Sequence, residues 1–147
     1  MRTRLQLCIL LMVAAGVFAQ QEIIYMQEGK TSFRDSSGRL LQNGTTTGNR
    51  TTYRDASGKM TGSATKDGNR TTFRDANGRL IGSAHVEGSG RTVYRDASGR
   101  IVATSSSNGS QKTYRDASGR VIVTSREEGN RTTFRDASGR LKGTQSK

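Results

Sequence analysis

The chain has 147 residues, 24 lysines and arginines against 12 acids, a formal net charge of +12, one histidine, one cysteine and no proline. One cysteine and one histidine exclude a disulfide framework and a Cys/His metal site, because the ligands are not there. The length suits one ordinary domain, and the basic balance points to anionic partners.

Arg2 and Arg4 precede an apolar stretch, Leu5 to Val17, broken only by Gln6 and Gly16, and Val17-Phe18-Ala19 offers small or permissive residues for cleavage. This pattern predicts a signal peptide over residues 1–19 and a secreted or periplasmic protein of bacterial type. A membrane span needs about 20 apolar residues. The stretch is shorter and ends at Gln20-Gln21, so no transmembrane segment is expected in the mature chain. Cys8 lies inside the stretch, after Leu7, and leaves with it. Residues 20–30, with Ile23-Ile24-Tyr25-Met26, are expected to form an N-terminal cap strand and turn. Cleavage after residue 19 would leave 128 of the 147 residues, 22 bases against 12 acids and a charge of +10. Leu, Ile, Val and Phe number 17 in that portion, near 13%, under the roughly 20% below which a highly charged chain reads as disordered.

A tandem repeat answers that warning. Residues 31–147 hold six tracts led by Phe33, Tyr53, Phe73, Tyr94, Tyr114 and Phe134, spaced 20, 20, 21, 20 and 20 residues apart. A fixed period of this length means an array of one supersecondary unit. The additional residue falls in Glu87-Gly88-Ser89-Gly90, which marks a loop. Each unit carries an Asp-Ala-Ser-Gly-type turn, with Asp35/Gly38, Asp55/Gly58, Asp75/Gly78, Asp96/Gly99, Asp116/Gly119 and Asp136/Gly139 as its ends. Aspartate bonds its own backbone two residues on, and glycine takes positive φ, as in a type I turn closed by a glycine bulge. A second, less regular turn signal recurs at Gly48-Asn49, Lys66 to Asn69, Asn108-Gly109 and Glu128 to Asn130.

Between the turns lie runs rich in Thr, Tyr, Phe, Val and Ile, the residues that suit a pleated surface. The expected fold is all-β, an antiparallel meander of six hairpin repeats, solenoid-like or a curled single sheet. Period-two alternation puts Thr51, Tyr53 and Asp55 on one face and Thr52 and Arg54 on the other. On the return strands it groups Met60/Gly62/Ala64, Leu80/Gly82/Ala84, Ile101/Ala103 and Val121/Val123 with the aromatics. Ile81, Val102 and Ile122 break the rule and read as a second, patchy apolar face. A flat single layer cannot cover its apolar stripe, so curling, stacking, self-association or a partner must do so. The tail Thr144 to Lys147 is expected to fray.

The segment Gly68-Asn69-Arg70-Thr71-Thr72-Phe73-Arg74-Asp75-Ala76-Asn77-Gly78-Arg79-Leu80 resembles the tyrosine-aspartate (YD) repeats of bacterial Rhs proteins, whose arrangement is Gly…Thr-x-Tyr…Asp-x-x-Gly-Arg-Leu. The resemblance covers residues 31–147. It implies β-hairpin repeats and an envelope or surface setting, and it carries no active site. The family usually places an aromatic directly before the aspartate, where this chain has arginine, and its long arrays coil into shells that six repeats are too few to form.

No catalytic constellation, metal site or cofactor motif is present. His85 is assigned to a solvated loop, and the serines lack a partner base or a nucleophile elbow. The six aspartates are isolated among arginines, whereas calcium needs 6–8 oxygens with several carboxylates together. Sequons at Asn43, Asn49, Asn69, Asn108 and Asn130 read as turn chemistry. The arginines are the suggestive feature. Arg34, Arg54, Arg74, Arg95, Arg115 and Arg135 alternate with Arg39, Lys59, Arg79, Arg100, Arg120 and Arg140, and on a meander they would form a basic ladder across the polar face. Such a ladder suits lipopolysaccharide, an anionic envelope or host polysaccharide, or nucleic acid, although no nucleic-acid module is recognisable. Its bland counterpart is a solvated, aggregation-blocking face. The reading is a non-enzymatic exported binding module. The alternative is a self-associating component of a fibre or matrix, and another protein is a further partner class.

Overall fold

A computed structural model describes residues 31–147; the signal peptide and cap strand expected over residues 1–30 lie outside the described residues. Twelve strands follow one another: β1 (Thr31–Asp35), β2 (Leu40–Thr47), β3 (Arg50–Asp55), β4 (Met60–Asp67), β5 (Arg70–Asp75), β6 (Leu80–Glu87), β7 (Arg91–Asp96), β8 (Ile101–Asn108), β9 (Gln111–Asp116), β10 (Val121–Glu128), β11 (Arg131–Asp136) and β12 (Leu141–Ser146). Each pairs antiparallel with the next, and β1 pairs with β12, with Ser32 facing Ser146 and Phe33 facing Gln145. The meander is therefore a closed barrel, not a solenoid or an open curled sheet.

The register explains the closure. Phe33 faces Gln42 on β2, and Gln42 faces Asp55 on β3, two residues beyond Tyr53, the counterpart of Phe33. The same step recurs at Tyr53–Gly62–Asp75 and at every later repeat, ending with Phe134–Gly143–Asp35 across the seam. Six steps of two residues give a shear of twelve for twelve strands. That one-to-one ratio is also found in eight-stranded barrels of shear eight, whose strands tilt by about 36°. A constant stagger curls the sheet until its edges meet, and the apolar stripe becomes the interior.

Both turn signals form hairpins. In the first, Gly58 N–H donates to Asp55 C=O at 3.0 Å and Asp55 N–H donates to the Lys59 carbonyl at 2.9 Å. Gly58 sits at φ +84°, which closes a type I turn with a glycine bulge. In the second, two residues such as Gly48-Asn49 separate the paired Thr47 and Arg50. Gly48 has φ +61° and Asn49 does not have positive φ, as in a type II′ turn. The additional residue lies between Glu87 and Arg91, where Gly88–Gly90 form a single 3-10 turn outside the ladder, so it leaves the stagger intact.

The interior alternates large and small. Tyr53, Phe73, Tyr94, Tyr114 and Phe134 are buried and pack with Ala64, Ala84, Ala103 and Val123, with Phe33 partly buried against them. Each aromatic projects from an odd strand and faces a small residue on both neighbours in the middle of the array, as Phe73 faces Gly82 and Ala64. Side chains that alternate in this way fill a barrel too wide for uniform ones.

A β-bulge in every first-turn hairpin corrects the face assignment. Tyr53 faces Gly62 but Arg54 faces Met60, which leaves Thr61 unpaired, and the shift recurs in the other five hairpins. The bulge turns the residue after the strand start inward. Ile81 is buried and Val102 and Ile122 pack against the core, so they are core residues, not a second face. Leu80 and Ile101, assigned to the core face, are 38% and 40% exposed opposite Arg74 and Arg95. Met60 and Val121 likewise face Arg54 and Arg115. The tail also differs from expectation. Thr144 and Gln145 belong to the closing strand, Gln145 is buried, and Lys147 N–H still donates to Asn130 C=O.

Candidate functional site

All six Asp-x-x-Gly turns lie at one end of the barrel, because every odd strand runs toward that end and every even strand away from it. The aspartates point to the interior side and are half-buried, while the arginines before them are exposed. Asp55 Oδ1 accepts from Ser57 N–H (2.9 Å), Ser57 Oγ (2.6 Å) and Lys59 N–H (3.0 Å). The same three bonds recur at Asp35, Asp96, Asp116 and Asp136. At Asp75 the hydroxyl is missing, since Asn77 stands there, and two backbone bonds remain. The serine hydroxyl is the main reason that the Asp35 carboxyl is held at about 2, with the Arg39 and Ser37 N–H groups adding to it against desolvation. Asp55, Asp96, Asp116 and Asp136 are lowered for the same reason.

The arginines are fixed by the same turns. Arg34, Arg54, Arg74, Arg95, Arg115 and Arg135 each donate Nη1–H to the carbonyl of the turn glycine, Gly38, Gly58, Gly78, Gly99, Gly119 and Gly139, at 2.9–3.0 Å. One of five guanidinium N–H groups is used in this way, and the bond folds each side chain over its own hairpin. Of the residues that follow the glycine, Arg39 forks onto Asp35 through Nε and Nη2 (3.1 and 3.0 Å), and Arg100 Nε lies 3.7 Å from Asp96. Lys59, Arg79, Arg120 and Arg140 occupy the same place on their hairpins and are exposed.

The basic ladder of the sequence reading is thus a rim. The cross-strand neighbours of the first arginine group are Asn43, Ser63, Ser83, Thr104, Thr124 and Thr144, not further bases, and the second group sits in the turns. Twelve cations meet six carboxylates there, a surplus of one charge per hairpin. The opposite end also has more bases than acids, with Arg50, Arg70, Arg91 and Arg131 opening four of the odd strands and Gln111 opening another. Ion pairs Arg91–Glu87 (3.5 Å), Arg126–Glu128 (3.2 Å) and Lys147–Glu127 (3.0 Å) engage three of its acids.

The face pattern bears on membranes. No helix among the described residues is long and apolar enough to cross one. Membrane-spanning barrels have an outward apolar band and strands of about 9–11 residues. Here the strands have 5–8 residues, and the outward positions are mostly threonine, serine and arginine, with apolar Met60, Leu80, Ile101 and Val121 grouped beside the arginines at one end. Among the described residues no three His, Cys, Asp or Glu side chains gather to hold a metal ion. His85 stands on β6, not in a loop, exposed and facing Arg70 and Val93. Of the sequons, Asn49, Asn69 and Asn130 lie in turns, Asn108 ends β8, and Asn43 accepts from Ser32 Oγ within the sheet. Neither a family model nor a curated protein matches the chain.

Proposed function

We propose that the barrel is a non-enzymatic exported binding module that engages an anionic polymer, an envelope or host polysaccharide, through the basic rim. The observation that supports this is the sixfold recurrence of an arginine held by its own turn. A guanidinium already fixed in place loses less rotamer freedom on binding, and evenly repeated cations match the repeated charges of a polymer better than a single point ligand. The resemblance to YD repeats supports the same envelope setting. Assembly into a fibre is favoured less, because both edges of the described sheet are paired with each other and edges are where strands recruit strands.

The test is binding of the purified protein to heparin or a polyuronate over a range of salt. Affinity should fall steeply as salt rises, and replacing Arg74, Arg95 and Arg115 together by glutamine should flatten the log–log slope by roughly one unit per arginine. The same change at Arg50 and Arg70, at the other end, should leave the slope nearly intact. Equal losses from both ends, or binding indifferent to salt, would refute the rim. Sedimentation species that grow with concentration and salt would instead support assembly.

A further inference from the structure

The Asp-x-x-Gly end of the barrel carries apolar side chains that neither the core nor the rim's charge explains. The residue that starts each even strand is aliphatic in all six units: Leu40, Met60, Leu80, Ile101, Val121 and Leu141. Each faces an arginine on the outer wall: Arg34, Arg54, Arg74, Arg95, Arg115 and Arg135 in turn. None of the six is buried, and Leu80 and Ile101, on neighbouring hairpins, are 38% and 40% exposed. Outward pairs further along the same hairpins are polar, as Thr52 facing Ser63 and Thr72 facing Ser83, so an outward strand position here does not require an aliphatic. Arginine stems cover apolar surface in general. Here the guanidinium groups are drawn to the glycine carbonyls of the turn, and part of each aliphatic stays in water.

The constant stagger relates each hairpin to the next by the same step. The six aliphatics therefore stand at one level around the barrel, with the turns just beyond them. A strand residue advances about 3.3 Å, or about 2.7 Å along the barrel axis at a tilt near 36°. Two to three residues separate the ring from the turn tips, so it lies roughly 5–8 Å behind them. Amphipathic elements at a lipid interface bury their apolar side about 5–10 Å into the boundary between headgroups and acyl chains. The two depths agree. The charge fits as well, since twelve cations meet six carboxylates at this end, and basic groups beside an anionic leaflet strengthen binding.

We propose that this end docks on an anionic phospholipid bilayer and that the barrel stands on the membrane without crossing it. The aliphatics enter the boundary below the headgroups, and the arginines take lipid phosphates through charge-assisted bonds. A level ring matches a flat bilayer, whereas a single polymer strand would meet one side of it. The inference rests on the rim as contact surface, as the polymer reading does, and adds the aliphatics, which a polyanion does not need.

The chain has no tryptophan, so Ile101→Trp is a clean fluorescent reporter of the ring. Ser106→Trp, exposed on the same strand toward the other end, is its control. With vesicles of equal parts phosphatidylglycerol and phosphatidylcholine, emission from Ile101→Trp should shift to the blue and emission from Ser106→Trp should not. Vesicles of phosphatidylcholine alone should shift neither. In cosedimentation with the mixed vesicles, Leu80→Thr and Ile101→Thr combined should bind about tenfold or more weakly, because two partly exposed aliphatics lose their transfer into lipid. Threonine keeps the strand preference of these positions, and heparin affinity should match the parent's. The tryptophan pair decides independently of any loss of stability in the threonine variant. No binding to the mixed vesicles, equal shifts from both reporters, or full vesicle binding by the threonine variant overturns the membrane proposal and leaves the polymer reading standing. Vesicle binding as expected with no affinity for heparin or a polyuronate overturns the polymer reading alone.

Discussion

Closure brings β12 against β1 in a tight contact that a single methyl group can test. A Cβ added to Gly143 would collide with the Arg34 carbonyl oxygen on β1 and stand 3.1 Å from Phe33 Cζ. Both belong to the seam, where Arg34 faces Thr144 and Asp35 faces Gly143. The carbonyl is backbone and cannot rotate away, so Gly143→Ala should incur the upper part of the overpacking range, about 2–3 kcal/mol. Alanine recovers about 0.5–1 kcal/mol over glycine in a strand. The net loss is about 1–2 kcal/mol, or a fall of roughly 4–8 °C in Tm for a domain of this size. Gly44→Ala is the matched comparison. Its Cβ would meet Thr31 Oγ1 at 2.9 Å and Tyr53 Cε1 at 3.1 Å, and a hydroxyl can change rotamer, so the loss should stay within about 1 kcal/mol. Thermal circular dichroism gives both numbers, and hydrogen exchange shows whether the β1 and β12 amides lose protection first. A Gly143→Ala variant as stable as the parent, with those amides unchanged, would mean that β12 does not lie against β1.

The remaining predictions concern the turns and the core. The folded-state pKa values of Asp35, Asp55, Asp96, Asp116 and Asp136 are lowered, so their stabilisation is complete above the unfolded value of 3.8 and is lost as pH falls toward the Asp35 value of about 2. Thermal midpoints should therefore drop between pH 4 and pH 2, and a midpoint flat over that range would contradict the turn geometry. Asp96→Ala removes three accepted bonds and Asp75→Ala only two. Chemical denaturation should show the first variant less stable than the second by up to about 1 kcal/mol. Tyr94→Phe loses the bond of its hydroxyl to Ser105 Oγ at 3.2 Å and should lower unfolding stability by about 0.5–1.5 kcal/mol. Phe33, Phe73 and Phe134 already fill the same place in other repeats.

The local features were legible because they rest on local chemistry. Aspartate four residues before arginine or lysine with glycine between them dictates its turn without help from the rest of the chain, and the 21-residue spacing located its own loop. Closure was not legible in that way. It follows from a two-residue stagger that accumulates over six hairpins, and no single repeat reveals it. The misplaced aliphatics have the same origin. Leu80 and Ile81 are adjacent and equally apolar, and only the bulge opposite Phe73 and Arg74 decides that Ile81 is the one inside. The arginines were found by type and spacing, but their bond to the glycine carbonyl depends on how the turn is closed.

The distribution of sameness among the repeats separates two tasks. At the Asp-x-x-Gly end the aspartate and the glycine that close the turn are identical in all six units, because every hairpin must close with the same stagger for the edges to meet. A change there in one unit is felt at the seam. At the other end the inward positions are free of that demand and differ from unit to unit: Thr46, Lys66, Val86, Ser107, Glu127 and Lys147. A barrel whose closure is set by one end can vary the lining of the other at little cost to the fold. That is the physical reason to look for a repeated polymer contact at the uniform rim.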